Sequence, residues 1–122
     1  MRKFARMNVE DVTKYCQSLP LVTTEVQWEN SPLFKVAGKI FCFTRQKEDF
    51  IYLTLKCAPD EILGLRRRFQ AVGPGFHMNK KYWNSVTLDG SISDNMLRLW
   101  INNSYRLVVA QFSPERRLEL GL

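Results

Sequence analysis

One stretch of the sequence collects most of the residue types that could do chemistry. Residues 72–90 hold the single histidine, His77, with one of the three tryptophans and three of the six glycines. The stretch opens on a glycine–proline break and continues into the polar, basic and aromatic residues 79–83. A lone imidazole more often holds a loop in place through a backbone carbonyl than performs acid–base catalysis. We therefore predict a basic, aromatic loop in which His77 has a structural role.

The positive charge of the chain is concentrated around this loop. The chain has 18 Lys and Arg against 12 Asp and Glu, a formal net charge of +6. Residues 62–88 carry +5 of that total and contain no acidic residue. Their cations are Arg66, Arg67, Arg68, Lys80 and Lys81. Cations interleaved with aromatic side chains suit phosphate contacts, because each neutralised phosphate releases condensed counterions. The alternative is a solvated surface, in which arginines near a helix end only offset its dipole.

Other chemistry has little support in the sequence. The cysteines Cys16, Cys42 and Cys57 are odd in number, form no Cys-x-x-Cys pair and lie in apolar patterns, so we expect buried free thiols. One histidine cannot complete a zinc site with them, and we predict no metal and no cofactor. Residues 73–75 lack the Lys and Ser or Thr of a phosphate loop, and no Gly-x-Ser-x-Gly elbow occurs. We therefore expect no enzymatic activity.

Length and composition predict one globular, cytoplasmic domain over residues 1–122, with a monomer favoured. A chain of 122 residues with 45% hydrophobic residues can bury a core without disulfide or metal staples. No apolar run reaches the roughly 18 residues that a membrane span needs, so we expect no membrane partner. Residues 1–7 carry three basic residues and no apolar core follows them. This pattern predicts a flexible start rather than a secretory signal.

The first half of the chain predicts one helix and a set of strands. Asn8 and Asp11 match a capping box for a helix over residues 8–19. A short extended segment over 21–31 follows, and Pro32 argues against a central strand at that point. The remaining pattern is a hairpin over 33–44 with a two-residue turn at Ala37-Gly38, a charged loop over 45–49 and a strand over 50–56.

The second half predicts three helices and one more strand. Residues 58–61 begin a helix that ends before the break at 73–74, and a strand covers 83–88. Ser93 caps a long helix to about residue 111, and Ser113 begins a short last helix. This order favours an α+β fold with helices on one face of a mainly antiparallel sheet. The predicted core is Val12, Cys16, Phe34, Ile40, Phe43, Leu53, Leu55, Ile62, Leu65, Phe69, Trp83, Val86, Leu97, Trp100, Ile101 and Val108.

The spacing of residues in the loop and the following strand resembles the signature of the MmcQ/YjbR family of small bacterial proteins. The matching positions are Pro74, His77, Asn79, Lys80, Trp83, Val86, Leu88, Asp89 and Gly90. Residues 33–41, 55–57, 59–60 and Ser104-Tyr105 also fit, so the resemblance spans about residues 8 to 118. Residues 26–30 (Val-Gln-Trp-Glu-Asn) depart from it, because many members carry a Tyr-Pro-Phe-Gly-like turn there.

The resemblance implies a DNA-binding protein. Members of the family are often described as DNA-binding, with a double-wing surface in which strands and loops approach double-stranded DNA. In this chain the wing would be the hairpin that carries Lys35 and Lys39. The fold also resembles those of secretion chaperones and frataxin-like domains. An adaptor that binds a protein or a small ligand is therefore the alternative, and fold alone does not decide between them.

Overall fold

The computed structural model describes residues 7–28 and 31–122, and for Gln27 and Trp28 it describes the backbone alone. In this part of the chain four helices and six strands form one α+β domain. The helices are Val9–Gln17 (α1), Ile62–Arg68 (α2), Asp94–Val109 (α3) and Pro114–Leu120 (α4). The strands are Val22–Trp28 (β1), Ser31–Val36 (β2), Lys39–Lys47 (β3), Phe50–Lys56 (β4), Val72–Pro74 (β5) and Trp83–Thr87 (β6). None of the described helices is long and apolar enough to cross a bilayer.

The six strands form a single sheet in the order β1-β2-β3-β4-β6-β5, and every neighbouring pair is antiparallel. Strands β1 to β4 follow one another directly. The chain then passes through α2 to the edge of the sheet, where β5 forms, and returns as β6 between β4 and β5. The predicted fold class is confirmed, and the connection between β5 and β6 is the basic, aromatic stretch of the sequence.

One face of the sheet carries the core and the packed helices. Cys42 on β3 faces α1, since its Sγ lies 4.0 Å from that of Cys16. Asn84 on β6 faces α2, because its Nδ2 donates a hydrogen bond to Ile62 O at 3.2 Å. Residues of α3 such as Ile101 complete the same buried cluster. We call this side of the sheet the helix face and the opposite side the open face.

A bulge in β3 decides which of its residues are inside. The register of β2 against β3 shifts at Phe41, which is left between two paired positions. Phe41 and Cys42 are consequently both fully buried, whereas Ile40 and Phe43 are only half-buried. The prediction of Ile40 as core is wrong for this reason, because one extra residue reverses the alternation of a strand. The prediction of Phe43 as core is wrong because Phe43 alternates with the buried Cys42 and Thr44 and therefore lies on the open face.

Helix α3 satisfies the backbone groups that the bulge and the end of β4 leave unpaired. The Ser104 hydroxyl donates to Phe41 O at 2.5 Å and accepts from Lys56 N at 2.9 Å. The next residue, Tyr105, donates from its hydroxyl to Pro20 O at 2.5 Å, and its ring meets that of Phe41 edge to face. Ser104 thereby ties α3 to the adjacent ends of β3 and β4, and Tyr105 ties it to the segment before β1.

Helix α2 is shorter than predicted and leaves a groove beside it. Residues 58–61 form a turn, and the helix begins at Ile62. Helix α2 packs on β5 and β6, whereas α3 packs on β2, β3 and β4. Leu65, Phe69 and Trp100 were predicted as core but are half-buried, because they line the seam between the two helices.

Met7, the one described residue of the start that we predicted to be flexible, is buried. Met7 is only 3% exposed, and its backbone N–H donates to the Asp94 carboxylate at 3.0 Å. The first residue of α3 therefore ties Met7 to the core. Residues 1–6 lie outside the described part of the chain, as do Glu29 and Asn30, two of the five residues that depart from the family pattern.

At three places where the sequence argued against a strand, the chain is in a strand or at its end. Pro32 is the second residue of the internal strand β2, where the ladder with β3 has not yet begun and only β1 is paired. The charged loop predicted over 45–49 belongs to β3 as far as Lys47 and then forms a tight turn. The predicted break at 73–74 lies in the edge strand β5, where the missing N–H of a proline is tolerated.

The local signals of helix and turn formation are confirmed. Asn8 and Asp11 form the reciprocal capping box, and the hydroxyls of Ser93 and Ser113 cap α3 and α4. The turn between β2 and β3 has positive φ at both Ala37 (48°) and Gly38 (85°). That combination matches the type I′ turn expected of a two-residue hairpin.

Candidate nucleic-acid interface

The connection from Gly75 to Trp83 is closed on itself by backbone hydrogen bonds. Gly75 N donates to Trp83 O at 3.0 Å, and the N–H groups of Tyr82 and Trp83 both donate to Asn79 O at 3.0 Å. A Cβ on Gly75 would lie 2.7 Å from the Cβ of Trp83, so only glycine fits without a shift of the backbone. We call this connection the 75–83 loop.

Side chains of the loop fix its course further. Asn79 Oδ1 accepts from Lys81 N at 2.9 Å, and Lys80 Nζ donates to Gly75 O at 3.4 Å. Phe76 N donates to Ser85 Oγ at 3.1 Å, which anchors the loop over the open face of β6. The loop is therefore held in one arrangement before any partner is bound.

Arg66 docks the loop onto α2. Its Nε donates to Asn84 Oδ1 at 2.6 Å, and its Nη2 donates to Lys80 O at 2.6 Å and to Trp83 O at 3.3 Å. Asn84 is buried and also bonds Ile62 O. Most of the hydrogen-bonding capacity of the Arg66 guanidinium is thus used inside the protein.

His77 contributes to the 75–83 loop through its backbone conformation rather than through a side-chain hydrogen bond. Its φ is 56°, in the left-handed region, and its side chain is exposed. Within the described residues the imidazole makes none of the predicted contacts to a backbone carbonyl. A non-glycine residue with positive φ is uncommon, and it lets the 75–83 loop turn sharply after Phe76.

Three of the predicted cations meet between α2 and the loop. Arg66, Lys80 and Lys81 line a surface depression of about 460 Å³. The other lining residues are Pro59, Ile62, Leu63, Asn79 and Tyr82. No carboxylate lies among them, and Arg67 is exposed on the same helix. We call Arg66, Lys80 and Lys81, together with Arg67, the α2–loop patch.

The other predicted cations lie elsewhere. Arg68 borders a different depression, which also contains Asp89, and its guanidinium lies 5.2 Å from the Phe69 ring centre. Lys35 on β2 forms an ion pair with Glu25 at 2.7 Å, and Lys39 is exposed beside the β2–β3 turn. Strands β3 and β4 separate β2 from β6, so the seven cations do not form one surface.

The remaining positions of the family motif have structural surroundings. Pro74 lies on the exposed edge strand, and Trp83 is buried. Asp89 Oδ1 accepts from the N–H and the hydroxyl of Ser91 at 2.9 and 2.6 Å. Gly90 has a φ of 85°, which favours glycine. Asp89 and Gly90 thus shape the turn that leads into α3.

Two lysines beside aromatic rings of the open face were not among the predicted site residues. Lys47 Nζ lies 5.7 Å from the Phe76 ring centre, and Lys56 Nζ lies 5.8 and 5.9 Å from the rings of Tyr82 and Trp83. Burial lowers the pKa of Lys56. The alternation of β4 placed Lys56 on the face away from the core, but nothing in the sequence placed the loop's aromatic rings beside it.

A further depression, with several apolar residues in its walls, lies between α2 and α3. It encloses about 350 Å³ and is lined by Lys56, Cys57, Ala58, Glu61, Leu65, Trp100, Asn103, Arg106, Leu107 and Ala110. Burial raises the pKa of the Cys57 thiol to about 11, so the thiol is neutral near pH 7. In residues 7–28 and 31–122, no three His, Cys, Asp or Glu side chains are grouped as metal ligands would be.

This α+β architecture, with one open six-stranded sheet, has solved counterparts. Deinococcus radiodurans protein DR2400, a DUF419 domain, matches with a TM-score of 0.86 at 33% identity, over 93% of this chain and 88% of its own. A Pseudomonas syringae protein shares the fold, with a TM-score of 0.71 at 22% identity, over 83% of this chain and 98% of its own.

The sequence comparisons define the family. The YjbR family model matches residues 17–107. YbdF of Escherichia coli O157:H7 is 36% identical over 103 residues, which are 82% of this chain and 83% of YbdF. YjbR of Escherichia coli K12 is 28% identical over 113 residues, 91% of this chain and 95% of YjbR. The chain belongs to the YjbR family, as the motif predicted. Both relatives are described as uncharacterised, so membership alone assigns no activity.

Proposed function

We propose that this protein is a cytoplasmic, monomeric, non-catalytic module that binds double-stranded DNA with low sequence specificity. The observation that carries the proposal is the α2–loop patch. Lys80 and Lys81 are presented by a loop that Arg66 holds in place, and no carboxylate lines the depression between loop and helix. A cluster of cations that is already held in place suits phosphates, because little conformational entropy is lost when it binds them.

The same geometry supports contacts to phosphates rather than to bases. Base recognition in the major groove relies on Arg, Asn or Gln side chains with free hydrogen-bonding groups. In the patch, Arg66 donates to three internal acceptors, and Asn79 Oδ1 accepts from Lys81 N. Exposed lysines, by contrast, neutralise phosphates without reading the sequence.

The proposal is tested by reversing two exposed charges of the patch. In Arg67→Glu/Lys81→Glu, affinity for any duplex should fall, and the slope of log affinity against log salt should become shallower by about one unit per lost phosphate contact. Fluorescence anisotropy at several salt concentrations measures both quantities. The free energy of unfolding should change by less than about 0.5 kcal/mol, because both side chains are exposed.

A matched control separates a local effect from one of net charge. The double variant Lys14→Glu/Arg116→Glu changes the net charge by the same amount at exposed ion pairs on α1 and α4. We expect it to weaken duplex binding much less than the patch variant. Equal losses in the two variants, or no loss in the patch variant, would contradict the assignment of the patch.

The alternative function, an adaptor for a small ligand, is supported by the α2–α3 groove. Its walls include the half-buried apolar residues Leu65, Trp100 and Leu107, and its volume is within the range of small-molecule sites. Binding there would depend weakly on salt, whereas duplex binding must weaken steeply. Two results together would favour the adaptor. The parent protein would bind no duplex at low salt, and it would bind an apolar fluorescent probe whose binding is lost in Leu107→Glu.

A further inference from the structure

The open face of the sheet presents a row of aromatic rings that the core does not use. Phe50 and Tyr52 on β4 lie 6.5 Å apart between ring centres, and Tyr52 meets Phe76 of the 75–83 loop edge to face at 4.9 Å. Phe50 is 48% exposed, and Tyr82 at the other end of the loop is 39% exposed. We call Phe50, Tyr52 and Phe76 the aromatic row.

Cations flank this row. Lys47 is paired directly with Phe50 across β3 and β4 and therefore lies on the same face, with its Nζ over the Phe76 ring. Lys56 lies on the open face of β4, with its Nζ 5.8 Å from the Tyr82 ring centre and 5.9 Å from the Trp83 ring centre. Three carboxylates lie near the row: Glu48 and Asp49 are in the exposed turn between β3 and β4, and Asp89 lines one depression together with Phe50, Tyr52 and Arg68. Asp89 Oδ1 accepts hydrogen bonds from Ser91.

We propose that the aromatic row and its flanking lysines bind single-stranded nucleic acid. A duplex presents only the edges of its bases in the grooves, whereas an unpaired strand presents base faces that stack on aromatic side chains. Phe50 provides an exposed ring at the end of the row, and Lys47 and Lys56 lie where backbone phosphates would pass. The surface shares no residue with the α2–loop patch, so it extends the proposed function rather than restating it.

The chemistry is common to single-stranded DNA and RNA, and both are used as probes. Labelled dT20, rU20 and a 20-base-pair duplex are titrated with the full chain at about 50 mM and about 200 mM salt. In Phe50→Ala, we expect the dissociation constant for the single strands to rise roughly 5- to 150-fold, the range that one lost stacked base represents. Duplex affinity should not change. Preference for rU20 would identify RNA as the ligand, and preference for dT20 would identify DNA.

Two further variants at Phe50 separate stacking from simple apolar contact. Phe50→Trp should keep single-strand binding, whereas Phe50→Leu should lose most of it. Leu99→Ala, at a residue on α3 that is 51% exposed, is the control and should bind like the parent. Absence of single-strand binding at low salt, or equal affinities of Phe50→Ala and the parent with unchanged melting, would overturn the proposal. The duplex titration of the Arg67→Glu/Lys81→Glu variant tests the α2–loop patch independently of the aromatic row. Either proposal can therefore be contradicted while the other stands.

Discussion

Gly75 is the residue at which the 75–83 loop is most tightly constrained. Its N–H bonds Trp83 O, and the space that a side chain would need is already occupied by the Trp83 Cβ and backbone. The loop then passes through His77 at a positive φ. These residues act through the backbone: Gly75 allows the chain to approach Trp83 closely, and His77 allows it to turn sharply.

Replacement of Gly75 by alanine should therefore destabilise the protein. The added methyl group would lie 2.7 Å from Trp83 Cβ and 2.9 Å from Trp83 O, and overpacking of this kind costs about 1–3 kcal/mol. Gly73→Ala is the matched control, since nothing lies within 4 Å of its would-be Cβ. We expect that variant to change stability by less than about 0.5 kcal/mol. Denaturant melts of both variants measure this, and equal destabilisation would show that the loop is not fixed by the Gly75–Trp83 contact.

Between elements, single polar side chains make the connections. Arg66 joins α2 to the 75–83 loop, and Ser104 joins α3 to β3 and β4. Ser104 bonds backbone groups of β3 and β4, and Arg66 bonds the Asn84 side chain and two backbone carbonyls, those of Lys80 and Trp83. The position of the α2–loop patch relative to the sheet therefore depends on a few hydrogen bonds as well as on apolar packing.

Ser104→Ala tests the connection between α3 and the sheet. The variant removes one hydroxyl and leaves Phe41 O and Lys56 N without that partner in a buried place, which should cost about 1–3 kcal/mol. Ser91→Ala removes a hydroxyl that bonds Asp89 at the exposed surface, where water can replace it, and should cost under about 0.5 kcal/mol. Chemical denaturation compares the two, and a loss in Ser104→Ala no larger than in Ser91→Ala would contradict the role of Ser104.

In the molecule as a whole, the three cysteine thiols are buried to different degrees. Cys16 and Cys42 face each other in the core and are fully buried, and burial raises the pKa of Cys42 well above its ordinary value. Cys57 lies in the wall of the α2–α3 groove and is only half-buried. The core pair can react only when the domain opens, whereas Cys57 needs a local movement.

We expect the modification rates of the thiols to separate accordingly. With a pKa of about 11, Cys57 gains thiolate, and so reactivity, with each pH unit up to that value, whereas an ordinary thiol levels off above about pH 9. Cys16 and Cys42 should react with rates that follow the free energy of unfolding as denaturant is added. Alkylation followed by peptide mass spectrometry identifies each site. Reaction of Cys16 as fast as Cys57 in the native protein would show that α1 detaches on its own.

Local signals in the sequence determined most of the elements. Asn8, Ser93 and Ser113 begin helices because their side chains accept hydrogen bonds from the backbone N–H groups that a helix start leaves free. The turn at Ala37-Gly38 follows from the short spacing between two strands. The order of these elements was enough for the α+β class, and the spacing around the 75–83 loop was enough for the family, since both are properties of neighbouring residues along the chain.

The tertiary structure alone decided which residues meet. The bulge at Phe41 depends on the register between two strands, which alternation within one strand cannot show. Arg66 is turned inward because Asn84 and the loop carbonyls converge on it only after β6 has joined the sheet. Lys47 and Lys56 lie beside aromatic rings because the 75–83 loop folds back over the open face. Charge clustering in a sequence is one-dimensional, whereas a binding surface is set by contacts between residues far apart in the chain.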